Sequence, residues 1–158
     1  ENRLADTEIV ALVTGSEEAG LCGAAAFAAR HKAGWGDVET VALALDTFND
    51  MEWLRVYHRD MNGLVRHDPA FCRFLQETGR TLGLDLPLGV VTVGSSDATA
   101  FTRAGVPSAA LAAMDPHPAH YYHNRRDTWE NLNTDCLELG CRLVAAAVER
   151  IDAGHLTR

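Results

Sequence analysis

The 158 residues carry fourteen basic and twenty-two acidic side chains, a net charge of −8, with 47% hydrophobic and 7% aromatic content. That length supports one hydrophobic core. The missing basic stripe excludes a nucleic-acid partner, and no apolar run approaches the roughly 18 residues of a membrane span.

The polar opening from Glu1 to Asp6 leads straight into an apolar run and reads as a loop cut from a longer chain. Ile9-Val10-Ala11-Leu12-Val13-Thr14 follows as a buried strand over 8–14. Gly15-Ser16-Glu17-Glu18-Ala19-Gly20-Leu21 hands it to an alanine-rich helix over 19–32. Gly34-Trp35-Gly36-Asp37 turns the chain into a strand at 41–45, closed by Asp46. A strand is expected at 53–58, and Trp53 to Asp60 reads as an excursion along a sheet edge. Asp68 and Pro69 supply the N-cap and first position of a helix over 69–82, and Phe71, Leu75, Thr78 and Leu82 mark its buried face.

After the turn at 83–87 come a strand at 88–93, a helix over 97–104 and a strand at 108–112. Asn133 or Thr134 caps a last helix over 134–152. Its stripe of Leu137, Cys141, Val144, Val148 and Ile151 assigns Cys141 to the core. None of the four cysteines has a Cys-x-x-Cys partner, so compartment stays open. Alternating strands and helices, with near-continuous apolar strands such as Val90-Val91-Thr92-Val93, predict an α/β fold. The expected form is a three-layer αβα arrangement around a mostly parallel, mixed sheet.

Adjacent Glu17 and Glu18 stand where a buried strand becomes a helix. Two ionised carboxylates there repel and lose hydration, at several kcal/mol per ion. A bound cation is the simplest compensation. Ligands of open α/β sheets sit beyond the carboxyl ends of strands, and Asp46 and Asp97 also follow predicted strands. His123 lies in the connection after Ala109-Ala110-Leu111. Carboxylates and imidazole are groups zinc accepts. The competing role of an acid before a helix is capping or dipole support, which is the expectation for Asp97 beside Ser95 and Ser96. Pro116 and Pro118, on either side of His117, favour an extended path that splays the rings of His117, His120 and His123. His31, His67 and His155 read as exposed helix-end residues. His58 and Asp60 share a face of an alternating strand by geometry alone, and are not taken as a metal site.

Thr14-Gly15-Ser16-Glu17-Glu18-Ala19-Gly20-Leu21-Cys22-Gly23-Ala24 resembles the Glu-Glu segment of the zinc aminopeptidases of peptidase family M28. The Leu-Asp ending at Asp46 does so too. Ser96-Asp97-Ala98-Thr99-Ala100-Phe101 running into Ala104-Gly105-Val106-Pro107-Ser108 is similar to a second stretch of that family. Tyr121-Tyr122-His123, with Asp127-Thr128-Trp129-Glu130-Asn131, resembles its most specific signature. The resemblance implies a zinc peptidase fold and release of N-terminal residues from peptides with a free N-terminus. It implies Glu17 as general base, Glu18 and His123 on one of two zinc ions, and Asp46 on the other. Tyr122 would stabilise the oxyanion, with Asp97 and Asp127 as supports.

The family pattern also has an earlier His-x-Asp and a bridging aspartate, which this sequence lacks. Residues 1–158 are therefore expected to be one partial catalytic domain without its N-terminal strands and helices. By itself it should be inactive, prone to aggregate and weak in zinc binding. A single-zinc transferase resembling glutaminyl cyclases and an inactive protease-like binding module are the alternative readings. Dipeptidase or carboxypeptidase activity stays open as well.

Overall fold

The computed structural model describes residues 4–115, 117 and 120–157, without the side chain of Asn62. The start of the expected opening loop and the prolines at 116 and 118 lie outside the described residues. In chain order the elements are α1 (Cys22–Trp35), β1 (Ala42–Phe48), β2 (Leu54–Asp60), β3 (Val65–Arg66) and α2 (Pro69–Thr81). They continue as β4 (Leu88–Val90), α3 (Asp97–Arg103), β5 (Ser108–Ala113) and α4 (Thr134–Asp152).

Small uncharged residues let β5 be buried along its whole length, and the sheet is built on it. β1 lies parallel along one side, from Ala42↔Ser108 to Asp46↔Ala112. β2 lies antiparallel along the other, from Leu54↔Ala113 to Tyr57↔Ala110. The far side of β2 carries β4 in parallel and β3 antiparallel. The sheet is thus mixed, and helices cover both faces. Ala109, Leu111 and Ala113 point into the main core with residues of α2 and α4, such as Leu75 and Leu143. Ala110 and Ala112 point the other way, against Ala98 of α3. α1 packs on α3 through Ala24, Ala28 and Phe101.

Capping chemistry sets the helix ends as expected. The Asp68 carboxylate accepts from Phe71 N at 2.7 Å with Pro69 behind it. The Asn133 side chain accepts from Cys136 N at 3.0 Å, so Asn133 is the cap.

Four expectations are corrected. β2 is an interior strand, not an edge excursion, because β5 and β4 occupy its two sides. The 8–14 segment forms no ladder: among the described residues β1 pairs only with β5, and Ile9, Val10 and Val13 stand exposed, Val13 at 97%. β4 stops at Val90, and Val93 is exposed because the chain leaves the sheet there. Cys141 is exposed, since α4 buries Cys136, Gly140, Leu143 and Ala147, one position round from the longer stripe. Small residues set this face: the Phe48 ring sits where a Cβ on Gly140 would be.

Leu111 is fully buried at the centre of β5. Leu111→Ala should lower unfolding stability by about 2–5 kcal/mol, measured by urea denaturation. A loss well under 1 kcal/mol would mean that β5 is not the strand on which the core is built.

Candidate functional site

Between the 8–14 segment and α1 the backbone folds back on itself. Gly20 N and Leu21 N donate to the Glu17 carbonyl at 3.0 and 2.8 Å, and Cys22 N donates to Ser16 O at 3.2 Å. Gly23 N donates to Gly15 O at 3.0 Å. The approach is so close that a Cβ on Gly23 would collide with that oxygen and stand 2.7 Å from Gly15 N. Ser16 and Leu21 hold left-handed φ values of 58° and 60° on either side of the two acids. Thr14 fixes the entry by donating its hydroxyl to Asp97 Oδ2 at 2.6 Å.

Asp46 reaches the site from β1 through a bulge. Register with β5 slips between Asp46 and Phe48, and Thr47 adopts φ 41°. Such a conformation is a genuine outlier for a β-branched residue, and a bulge re-aims the side chains beside it. The Thr47 hydroxyl donates to Asp46 Oδ1 at 2.9 Å. His123 arrives from the connection after β5, itself left-handed at φ 57°. The Asn124 amide donates to His120 O and Tyr122 O around it, and Asn49 Nδ2 donates to the Tyr121 hydroxyl at 3.1 Å. Of five left-handed non-glycine residues described, Ser16, Leu21, Thr47 and His123 flank or carry the acids and the imidazole. Backbone strain of this kind costs of order 1–3 kcal/mol per residue and clusters at functional sites.

These segments bring Glu18 and His123 together, with Nε2 2.8 Å from Oε1. The Tyr122 ring stacks on His123 at 3.8 Å between centroids. Glu17, next to Glu18 in the chain, is half-buried. Burial pushes its carboxyl above the ordinary value, the Glu18, Asp46 and Asp97 charges push it further, and His123 draws it back. The Tyr122 phenol is likewise raised, first by burial and then by Glu18, Asp46, Glu17 and Asp127. The charges of Glu18, Asp46, Asp97 and His123 thus act on Glu17, and those of Glu17, Glu18, Asp46 and Asp127 on Tyr122.

Asp97 gets there by a route the sequence did not suggest. β4 runs parallel to β2 and so opposite to β1, and its carboxyl end does not share an edge with Asp46. The first turn of α3 and the Thr14 contact bring Asp97 to Glu17 instead. Its Oδ1 is buried with no hydrogen-bond partner among the described residues. The three imidazoles of the 117–123 stretch take separate partners: Asp115 for His117, the Tyr121 ring for His120 and Glu18 for His123. Among the described residues no three His, Cys, Asp or Glu side chains close on one point. Thr14, Thr47, Asn49 and Asn124 were not legible as site residues, because each acts through a local twist or a contact distant in sequence.

The fold is shared with aminopeptidases and with a glutaminyl cyclase. A zinc aminopeptidase from Bacillus subtilis superimposes with a TM-score of 0.69 at 24% identity, over 87% of this chain and 34% of that one. The LapA aminopeptidase of Legionella pneumophila gives 0.70 at 16% identity, over 88% and 38%. A glutaminyl cyclase from an Acidobacteriales bacterium gives 0.64 at 21%, over 84% and 46%. The chain thus spans less than half the length of each. No curated protein sequence matches it. Residues 1–148 match Peptidase family M28, and the chain belongs to that family.

Gly23→Ala tests the fold-back that carries the acids. Alanine gains about 1 kcal/mol in a helix, yet the collision with the Gly15 backbone should cost more, leaving a net loss of about 1–2 kcal/mol. The urea midpoint should fall; a midpoint at or above the parent value would show that the loop has room to move.

Proposed function

We propose that this chain carries the catalytic centre of a dizinc aminopeptidase, with Glu17 as general base. The observation that carries the reading is the Glu18–His123 contact of 2.8 Å beside a Glu17 carboxyl raised by burial and three neighbouring acids. A carboxyl raised by burial and like charges, set among convergent ligand types, supports a functional site.

The donors fit zinc in kind: an imidazole nitrogen and carboxylate oxygens. Glu18 and His123 would hold one ion and Asp46 the other. When bound, zinc supplies Lewis acidity toward a carbonyl and lowers the pKa of a coordinated water. The chain's own groups do the rest. Glu17 accepts a proton from the attacking water and returns it to the leaving amine. This exchange is worth about 10²–10⁴-fold. The Tyr122 hydroxyl, held against His123, donates to the oxyanion that forms at the carbonyl. Asp97 fixes the Glu17 loop through Thr14, and Asp127 adds its charge beside Tyr122. A free substrate ammonium is the natural counter-charge to this acidic cluster, which favours peptides with a free N-terminus.

Residues 1–158 are proposed to be part of a larger catalytic domain and inactive by themselves. The support is that Glu18 and His123 are two donors at one point, and that the 8–14 segment and Leu45 of β1 expose apolar side chains. The likeness to a glutaminyl cyclase keeps a single-zinc transferase as the second reading, which Asp46 argues against, because it offers a carboxylate to a second ion.

Glu17→Gln in the whole protein should leave zinc content unchanged and lower peptide hydrolysis by about 10²–10⁴-fold. It should also stabilise the metal-free protein. Because the Glu17 carboxyl is raised on folding, the folded state holds its proton more tightly, and stability falls as pH climbs through that range. Removing the charge removes the loss, so the metal-free variant should unfold at higher urea at neutral pH. Retained hydrolysis would take the base role from Glu17.

A further inference from the structure

Away from the proposed centre, Asp60 and His67 are buried together, at 0% and 4% exposure. His67 is not at the exposed helix end expected for it. Instead, His67 N donates to His58 O at 3.0 Å and tucks the ring beneath α3. Asp60 closes β2 beyond a register slip at Tyr57/Arg59, which breaks the strict alternation expected of His58 and Asp60. Its Oδ2 accepts from Ser96 N at 2.7 Å, Ser96 Oγ at 2.8 Å and Thr99 Oγ1 at 2.8 Å. Its Oδ1 faces His67 Nε2 at 3.4 Å, longer than a good hydrogen bond. Both atoms are otherwise without a partner among the described residues. Burial raises the Asp60 carboxyl, but the His67 ring and the donors from Ser96 and Thr99 more than offset it and hold it below the ordinary value.

Counting protons settles the ring. Ser108 Oγ donates its one proton to Ala98 O at 2.9 Å. The 2.6 Å contact between Thr102 Oγ1 and Ser108 Oγ must then use the proton of Thr102. Thr102 Oγ1 is left as an acceptor, so His67 Nδ1, 2.8 Å away, is the donor. Nε2 faces a carboxylate oxygen, and a lone pair there would oppose another lone pair in a site without water access. A buried ionised carboxylate also needs a counter-charge, and among the described residues no Lys or Arg pairs with Asp60.

We infer that His67 is buried with a proton on both ring nitrogens, and that with Asp60 it forms an ion pair that positions the catalytic loop. The path is short. Asp60 holds Ser96 and Thr99, the cap and first turn of α3; that turn carries Asp97; and Asp97 accepts from Thr14, three residues ahead of Glu17. His67 grips the other end of α3 through Thr102. Asp60 and His67 are positioning residues, and the second half of the inference rests on Glu17 as the base.

The test is nitrogen-15 NMR of the histidine rings in the whole protein, with kinetics on the same samples. The parent protein at neutral pH should show His67 with two protonated nitrogens. In Asp60→Asn the amide faces Nε2, which should lose its proton while Nδ1 keeps one, and kcat should fall about 10- to 100-fold with zinc content and KM unchanged. Should that variant fail to fold, Ser96→Ala leaves the ion pair intact: its ring signature should match the parent while kcat still falls. A neutral ring in the parent overturns the ion pair. Full kcat in Asp60→Asn or in Ser96→Ala overturns the positioning role. A parent protein with the two-proton ring and no peptidase activity refutes the proposed function and leaves the ion pair standing.

Discussion

Like-charge crowding is the constraint on which the rest depends. Glu17, Glu18, Asp46 and Asp97 are close enough that each of the other three raises the Glu17 carboxyl, against a single imidazole that lowers it. Left to itself, a flexible chain would let these groups drift apart into water. Here the backbone forbids it. Gly23 under Gly15, the left-handed Ser16, Leu21, Thr47 and His123, and the Thr14–Asp97 bond hold the charges where electrostatics alone would not. That strain is offset by the core beneath it, and strain of this kind clusters at functional sites.

The core that offsets it is organised by β5. Alternate residues of that strand serve two different clusters, so one short uncharged segment joins α2 and α4 on one face to α3 on the other. Asp60 and His67 extend the same logic to polar groups. They tie the end of β2 and the start of α2 to both ends of α3, and Ser108 of β5 completes the chain of hydroxyls. A buried ion pair is weak evidence of stability in itself. Its worth lies in fixing one arrangement of α3 over the sheet.

What the sequence made legible was whatever its neighbours decide. Asp68 with Pro69 starts α2, and Asn133 starts α4, because a cap acts within one turn. Glu17, Glu18, Asp46 and His123 stood out because their residue types and their order resemble a family that the comparison then identified. What stayed hidden depends on partners far along the chain. The 8–14 run has strand composition, but a strand needs a ladder, and no described strand lies beside it. Cys141 lost its core place to a face defined by the Phe48 ring on Gly140. His67 was misplaced because its burial depends on Asp60, Thr102 and Ser108 meeting across three elements. The bulge at Thr47 is equally non-local, since it exists only against β5.

We propose the Glu18–His123 meeting point as a zinc site. X-ray absorption and anomalous diffraction on the whole protein with zinc added test it most directly. The expected result is an ion bonded to His123 Nε2 at about 2.0–2.1 Å and to a Glu18 oxygen at about 2.0–2.2 Å, and lost in Glu18→Gln. Zinc bound elsewhere, or bound unchanged without the Glu18 carboxylate, would contradict it.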